Sequence, residues 1–164
     1  MGSRLNLQMM LKVVVIDMKD FWRDKMQIVK YVFQLHGDER GQLVTLEEMK
    51  DIPFKIKRIY YLYDTLSGVI RGYHAHKFLK QILVCIHGSC KILLDNGYEK
   101  KVIILNNPCE GLYVASAIWR EIFDFSPDAV LVVLASELYD ESDYIRDYDE
   151  FIKYVKSCKE ENKL

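Results

Sequence analysis

Residues 71–88 read RGYHAHKFLKQILVCIHG. His74 and His76 stand one residue apart, just ahead of an apolar run from Gln81 to Ile86 that His87-Gly88 stops. On an extended strand, residues i and i+2 project from the same face. If that face lines a barrel, both imidazoles converge inside it. Three readings follow: half of a metal site, an acid–base pair, or two histidines on a solvated face. A metal needs one or two more ligands from His, Asp, Glu or Cys.

Working outward, residues 56–62, 81–86, 91–94, 102–105, 112–114, 121–125 and 130–134 are short β-type runs at similar spacing. Ser67-Gly68, His87-Gly88 and Asn106-Asn107-Pro108 punctuate them. Asp95-Asn96-Gly97 carries the strongest hairpin signal, because Asn-Gly accepts positive φ at both central positions. Many short strands with regular turns mean a sandwich or barrel. Residues 37–46 read as a turn followed by a strand. The tail differs: Tyr144, Ile145, Tyr148, Phe151, Ile152 and Val155 recur at helical spacing over residues 142–163, with acids early and lysines late, as a helix dipole favours. Near the N-terminus, Val13 to Ile16 is a short apolar run. Met18, Phe21, Trp22 and Met26 then recur at helical spacing. The fold class is therefore mainly β with one C-terminal helix.

The chain has 164 residues, 50% of them hydrophobic, which suits one packed domain. The net charge is −1 with both signs interspersed, so no basic stripe points to nucleic acid or an anionic membrane. No apolar run is long enough to span a bilayer. Met1-Gly2-Ser3 reads as an expression scar. The four cysteines, Cys85, Cys90, Cys109 and Cys158, match no zinc or redox spacing and read as reduced thiols of a cytoplasmic protein.

The arrangement Gly72-x-His74-x-His76, then Gln81, then Gly88, resembles the first motif of the cupin superfamily, small jelly-roll β-barrels that often bind metal. Gln81 stands where metal cupins carry a glutamate ligand. In the second segment, NPCEGLYVASAIWREIFDF, Arg120 stands where another histidine ligand is expected. Arginine cannot ligate a metal, and its charge repels one. No metal and no cofactor are expected. Histidine titrates near neutrality and suits general acid–base work. Arginine suits phosphate or a developing oxyanion. Together they fit proton transfer beside a carbonyl on an anionic substrate.

KIKRIYYLYDT, RGYHAHKFLKQILVCIHGSCKILLDNG and GLYVASAIWREIFDFSPDAVLVVLASELYDESDYIRDYDEF together resemble the nucleotide-sugar 3,4-ketoisomerases, metal-free cupins acting on dTDP-4-keto-6-deoxy-D-glucose. The resemblance runs from about Gly37 to Tyr154. It implies a jelly-roll barrel with a C-terminal helix over residues 31–164, behind an N-terminal extension, residues 1–30, of unassigned role. It implies a homodimer with swapped N-terminal strands, and a dTDP-linked keto sugar in the barrel mouth. The ketone would move from C4 to C3 through an enediol, supplying 3-amino-3,6-dideoxyhexoses for surface polysaccharide. His74 matches the family's base. His76 and Tyr60 match proton-relay and sugar-orienting positions, and Arg58, Arg71 and Gln81 fall where pyrophosphate or sugar contacts belong. Bland readings stand beside these: a surface ion pair for Arg58, barrel packing for Tyr60, and core for Trp119.

Two positions track product stereochemistry in the family. Arginine at the place of Arg120 accompanies the gluco product, and arginine at the place of Arg40 accompanies the galacto product. Arg120 belongs to the barrel lining, so the gluco product is favoured. The alternatives are a metal-free 3,5-epimerase-like cupin and a non-catalytic sugar-nucleotide-binding cupin.

Overall fold

The computed structural model describes residues 26–161. The apolar run at residues 13–16 and the helical spacing at Met18, Phe21 and Trp22 lie outside the described residues.

Among the described residues, ten strands form two five-stranded sheets and two more form a separate hairpin. The strands are β1 (Val29–Val32), β2 (Leu35–Asp38), β3 (Gly41–Val44), β4 (Arg58–Leu62), β5 (Arg71–His76), β6 (Gln81–His87), β7 (Cys90–Asp95), β8 (Lys100–Leu105), β9 (Glu110–Val114), β10 (Trp119–Phe123), β11 (Val130–Ala135) and β12 (Tyr144–Ile145). Helix α1 (Tyr148–Glu161) follows. The first sheet runs β1-β9-β6-β11-β4 and the second β12-β5-β10-β7-β8. From β4 onward the chain changes sheet at every connection except the β7–β8 hairpin. This winding is that of a jelly roll. Among the described residues the sheets face each other without closing into a continuous barrel.

Strand composition follows from what covers each face. Leu83 and Cys85 of β6 meet Ile92, Leu94 and Ile122 of the other sheet in the central core. Ile82 and Val84, on the opposite face of β6, are covered by Tyr31, Phe33, Ile52 and Phe54. Both faces are dry, so β6 reads as an uninterrupted apolar run rather than an alternation. A third cluster joins Ala75, Trp119 and Ile145 to Phe151 and Val155 of α1. Trp119 is thus core, stacked edge-on against Tyr148. The β7–β8 turn closes as its sequence demands: Gly97 takes φ 85°, and Asn96 Oδ1 accepts from the Tyr98 and Glu99 amides.

Three features depart from the sequence reading. The hairpin begins earlier than expected, since Leu35–Asp38 pairs with Gly41–Val44 to make an exposed arm. At the other end, residues 142–147 are not helical. Asp140 caps a 3₁₀ turn over Glu141–Asp143, and Tyr144 and Ile145 then pair with His76 and Ala75. Asp147 accepts from the Glu150 amide and starts α1 only there. Finally, Val29 and Lys30, placed in the extension by the sequence reading, are paired with Tyr113 and Leu112 of the first sheet. No helix among the described residues is long and apolar enough to cross a membrane.

Candidate active site

A cavity of about 290 Å³ opens between the sheets. Tyr60 and Gln81 line it from the first sheet, and Arg71, His74 and Arg120 from the second. Leu62, Leu83, Ile122 and Val133 supply apolar wall. Five of the residues singled out in the sequence therefore converge. His76 stands against His74, ring centroids 4.9 Å apart and nearly perpendicular. Arg58 sits beside the cavity with its guanidinium over the rings of Tyr60 and Tyr139, at 5.2 and 5.6 Å, rather than in a surface ion pair. Arg40 lies on the β2–β3 arm, bound to Asp38, and does not line the cavity of its own chain.

A bulge aims His74. Arg120 pairs with His74, but its neighbour Glu121 pairs with Gly72, so Tyr73 is the extra residue on β5. Gly72 takes φ 95°, and a Cβ there would sit 2.6 Å from the Arg120 carbonyl oxygen. Only glycine allows this approach. The same turn brings the Gly72 carbonyl to 2.9 Å from His74 Nδ1. A carbonyl only accepts, so Nδ1 carries the hydrogen and Nε2 keeps its lone pair. Gly72→Ala should cost about 1–3 kcal/mol through backbone strain alone, and should lower turnover further by displacing His74. A denaturant melt and an assay check this; wild-type values in both would refute the bulge's role.

The electrostatics keep both histidines neutral. Burial first, then the Arg120 guanidinium, push the His74 pKa down to about 4. The same causes act more strongly on His76, which is 1% exposed. Its Nδ1–H donates to Asp143 Oδ2 at 2.8 Å. The carboxylate favours a charged ring, but burial and the cation prevail, so this is a neutral donor on a carboxylate. Because the folded pKa of His74 lies below 6.5, the stability linked to it is present above pH 6.5 and is lost as pH falls from 6.5 toward 4. The acid limb of kcat/KM, which reports the free enzyme, should have its midpoint near 4. A midpoint at the ordinary histidine value would contradict this electrostatic account.

Arg120 is 2% exposed, and among the described residues none of its three guanidinium nitrogens has a hydrogen-bond partner. Burial lowers its pKa to about 10, which leaves it cationic at neutral pH. Gln81 Nε2 donates to the Tyr60 hydroxyl oxygen at 2.7 Å. The phenol hydrogen is left to be given elsewhere, and burial raises the Tyr60 pKa. Among the described residues, no three of His, Cys, Asp or Glu converge as a metal site.

Two residues at the site escaped the sequence reading. Asp143 holds His76, and the Tyr144 ring packs 4.9 Å from His74 and 4.2 Å from His76. The signal available was a pair of capping aspartates, Asp140 and Asp147, which bracket a non-helical stretch.

Two facing sheets in jelly-roll order, with His74 and the buried Arg120 on one cavity wall, define a protein of the cupin type. The family model described as FdtA, WxcM-like, C-terminal, matches residues 18–156. The TDP-4-oxo-6-deoxy-alpha-D-glucose-3,4-oxoisomerase of Aneurinibacillus thermoaerophilus is 56% identical over 118 residues, spanning 72% of this chain and 85% of that protein. The crystal structure of a 3,4-ketoisomerase from Helicobacter canadensis is 50% identical, covers 80% of this chain and 99% of that one, and superposes with a TM-score of 0.78. That of a His-to-Asn mutant of the 3,4-ketoisomerase QdtA from Thermoanaerobacterium thermosaccharolyticum, in complex with TDP-4-keto-6-deoxyglucose, is 47% identical, covers 79% and 94%, and also has a TM-score of 0.78. The chain belongs to the FdtA, WxcM-like family of sugar 3,4-ketoisomerases.

Proposed function

We propose that the protein converts TDP-4-keto-6-deoxy-D-glucose into TDP-3-keto-6-deoxy-D-glucose. The observation that carries this reading is the Arg120 guanidinium, buried and unpaired beside the neutral His74 on one cavity wall. The C3 hydrogen is acidic because it is α to the C4 ketone. His74 Nε2 removes it, and negative charge develops on O4. Arg120 suits that charge. An anionic oxygen against Arg120 also cancels the repulsion that holds His74 down, so the base strengthens as charge develops. Tyr60, with its hydroxyl oxygen bound by Gln81, orients a sugar oxygen. Reprotonation at C4, with loss of the hydroxyl proton from O3 and gain of a proton at O4, then leaves the ketone at C3 and an alcohol at C4. Arg71 at the cavity wall and Arg58 beside it suit the pyrophosphate.

Arg120 in the wall favours delivery to C4 on the face that gives the gluco product; Arg40 on the arm speaks for the galacto product. Incubation with TDP-4-keto-6-deoxy-D-glucose in D₂O, read by NMR, reports activity, position and stereochemistry together. A 3-keto product with an equatorial 4-hydroxyl is expected. An axial 4-hydroxyl would reverse the stereochemical assignment, and deuterium at C5 would favour a 3,5-epimerase. Tight binding without turnover would leave a sugar-nucleotide-binding cupin.

The protein acts as a homodimer in the cytoplasm, with N-terminal strands exchanged between subunits. The exposed β2–β3 arm and the exposed Ile59 and Tyr61 on edge strand β4 support this assembly. A monomer in sedimentation equilibrium would end that part of the reading. The 3-keto product is a substrate for amination at C3, which fits supply of amino sugars to surface polysaccharide.

A further inference from the structure

Strand β8 is the last strand of the second sheet, and among the described residues no strand pairs with its far edge. Its side chains alternate between the two faces of the sheet. Ile103 and Leu105 turn inward and join the central core. Val102 and Ile104 turn outward and are 55% and 51% exposed. An open edge with β-branched apolar side chains is a template for pairing with another chain, and proteins commonly cover such an edge with a helix or loop.

The described chain begins beside this strand. Met26 is buried in the same core cluster as Ile103 and Leu105. Its amide donates to Glu99 Oε2 at 2.7 Å, and its carbonyl accepts from Lys101 Nζ at 2.6 Å. Glu99 and Lys101 flank the first residue of β8. The chain before Met26 is therefore tethered at the start of the open strand.

Residues 1–25 lie outside the described ones, but their sequence is patterned. Met18, Phe21, Trp22 and Met26 fall at i, i+3, i+4 and i+8, one face of a helix. Every residue between them is charged: Lys19, Asp20, Arg23, Asp24 and Lys25. The last member of this apolar stripe, Met26, is a core residue. At the helical rise of about 1.5 Å per residue, Trp22 and Met18 come about 6 and 12 Å from Met26. At the strand rise of about 3.4 Å per residue, Val102 and Ile104 lie within about 10 Å of Lys101. The two spans match.

We propose that residues 18–25 cover the open edge of β8, with Met18, Phe21 and Trp22 laid on Val102 and Ile104. The occupant is this chain's own extension, because Met26 fixes its end at the strand. A short tether holds such a segment at an effective concentration of roughly millimolar, which a free partner would have to exceed. The extension thus closes the second sheet against edge-to-edge association.

Trp22 reports on this directly. Its emission is the difference between the spectra of the full chain and of Trp22→Phe. It should be blue-shifted and shielded from acrylamide. In the double variant Val102→Lys, Ile104→Lys it should move to the red and become open to the quencher. Both substituted side chains are exposed and lie outside the cavity, so the variant should still melt cooperatively. On the other side of the contact, amide exchange over residues 100–105 should quicken by at least about tenfold in Trp22→Ser. Trp22 emission typical of a solvent-exposed indole in the full chain overturns the proposal, as does emission that ignores the two lysines, or unchanged exchange in β8. The Trp22 signal should also be independent of protein concentration. A blue shift that appears only on association would mean that a second copy supplies the segment, and would overturn the assignment to the chain's own extension.

Discussion

His74→Asn should lower turnover of TDP-4-keto-6-deoxy-D-glucose by about 10²–10⁴-fold while dTDP binding stays unchanged. The asparagine keeps a polar side chain of similar reach but offers no group that takes a proton near neutral pH. Because the Gly72 carbonyl fixes hydrogen on Nδ1, Nε2 is the nitrogen lost. The nucleotide should be indifferent to the change, since Arg71 and Arg58 belong to other positions around the cavity. Exchange at C3 in D₂O should vanish together with product. Retained C3 exchange in His74→Asn would move the base elsewhere.

The place of His74 in the cavity wall was legible because it follows from a local pattern. A strand of period two places His74 and His76 on one face, and Gly72 marks the bulge that aims them. The strands of both sheets were legible for a similar reason, since turn residues such as Asn96-Gly97 punctuate them. The β2–β3 arm was half missed because it faces no core: all four β2 residues are exposed, so no hydrophobic alternation marks them.

Asp143 and Tyr144 were hidden by a coincidence of spacing. Ile145 packs in the same cluster as Phe151 and Val155 of α1, so the apolar period runs on smoothly although the backbone at Ile145 is a strand. Periodicity reports which face is buried, not which backbone buries it. The partnership of Asp143 with His76 spans 67 residues, and only the sheet pairing of β12 with β5 brings it about. Arg40 shows the same limit from the other side. Its place on the arm follows from the turn at Gly41, and only the fold shows that this arm holds it away from the cavity of its own chain.

Arg120→Met should stabilise the fold and lower activity at once. The guanidinium is 2% exposed with no partner for its nitrogens, and burying a charge without compensation costs several kcal/mol. Methionine is unbranched, of similar length and able to fill an irregular apolar space. Replacing the buried charge by such a residue should raise stability by about 1–4 kcal/mol, read as a higher Tm. Turnover should fall by about 10²–10³-fold, as when one donor to a developing oxyanion is removed. A third readout ties the two together. Arg120 is the second cause, after burial, of the low His74 pKa, so removing it should move the acid limb of residual kcat/KM upward from about 4 toward the ordinary histidine range. A purely structural arginine would give the opposite pattern, with Tm falling and the acid limb unmoved. Higher Tm, lower turnover and a raised acid limb in one variant would mean that this fold keeps an uncompensated charge at the cost of its own stability, because the substrate's ketone oxygen is the partner that charge is waiting for.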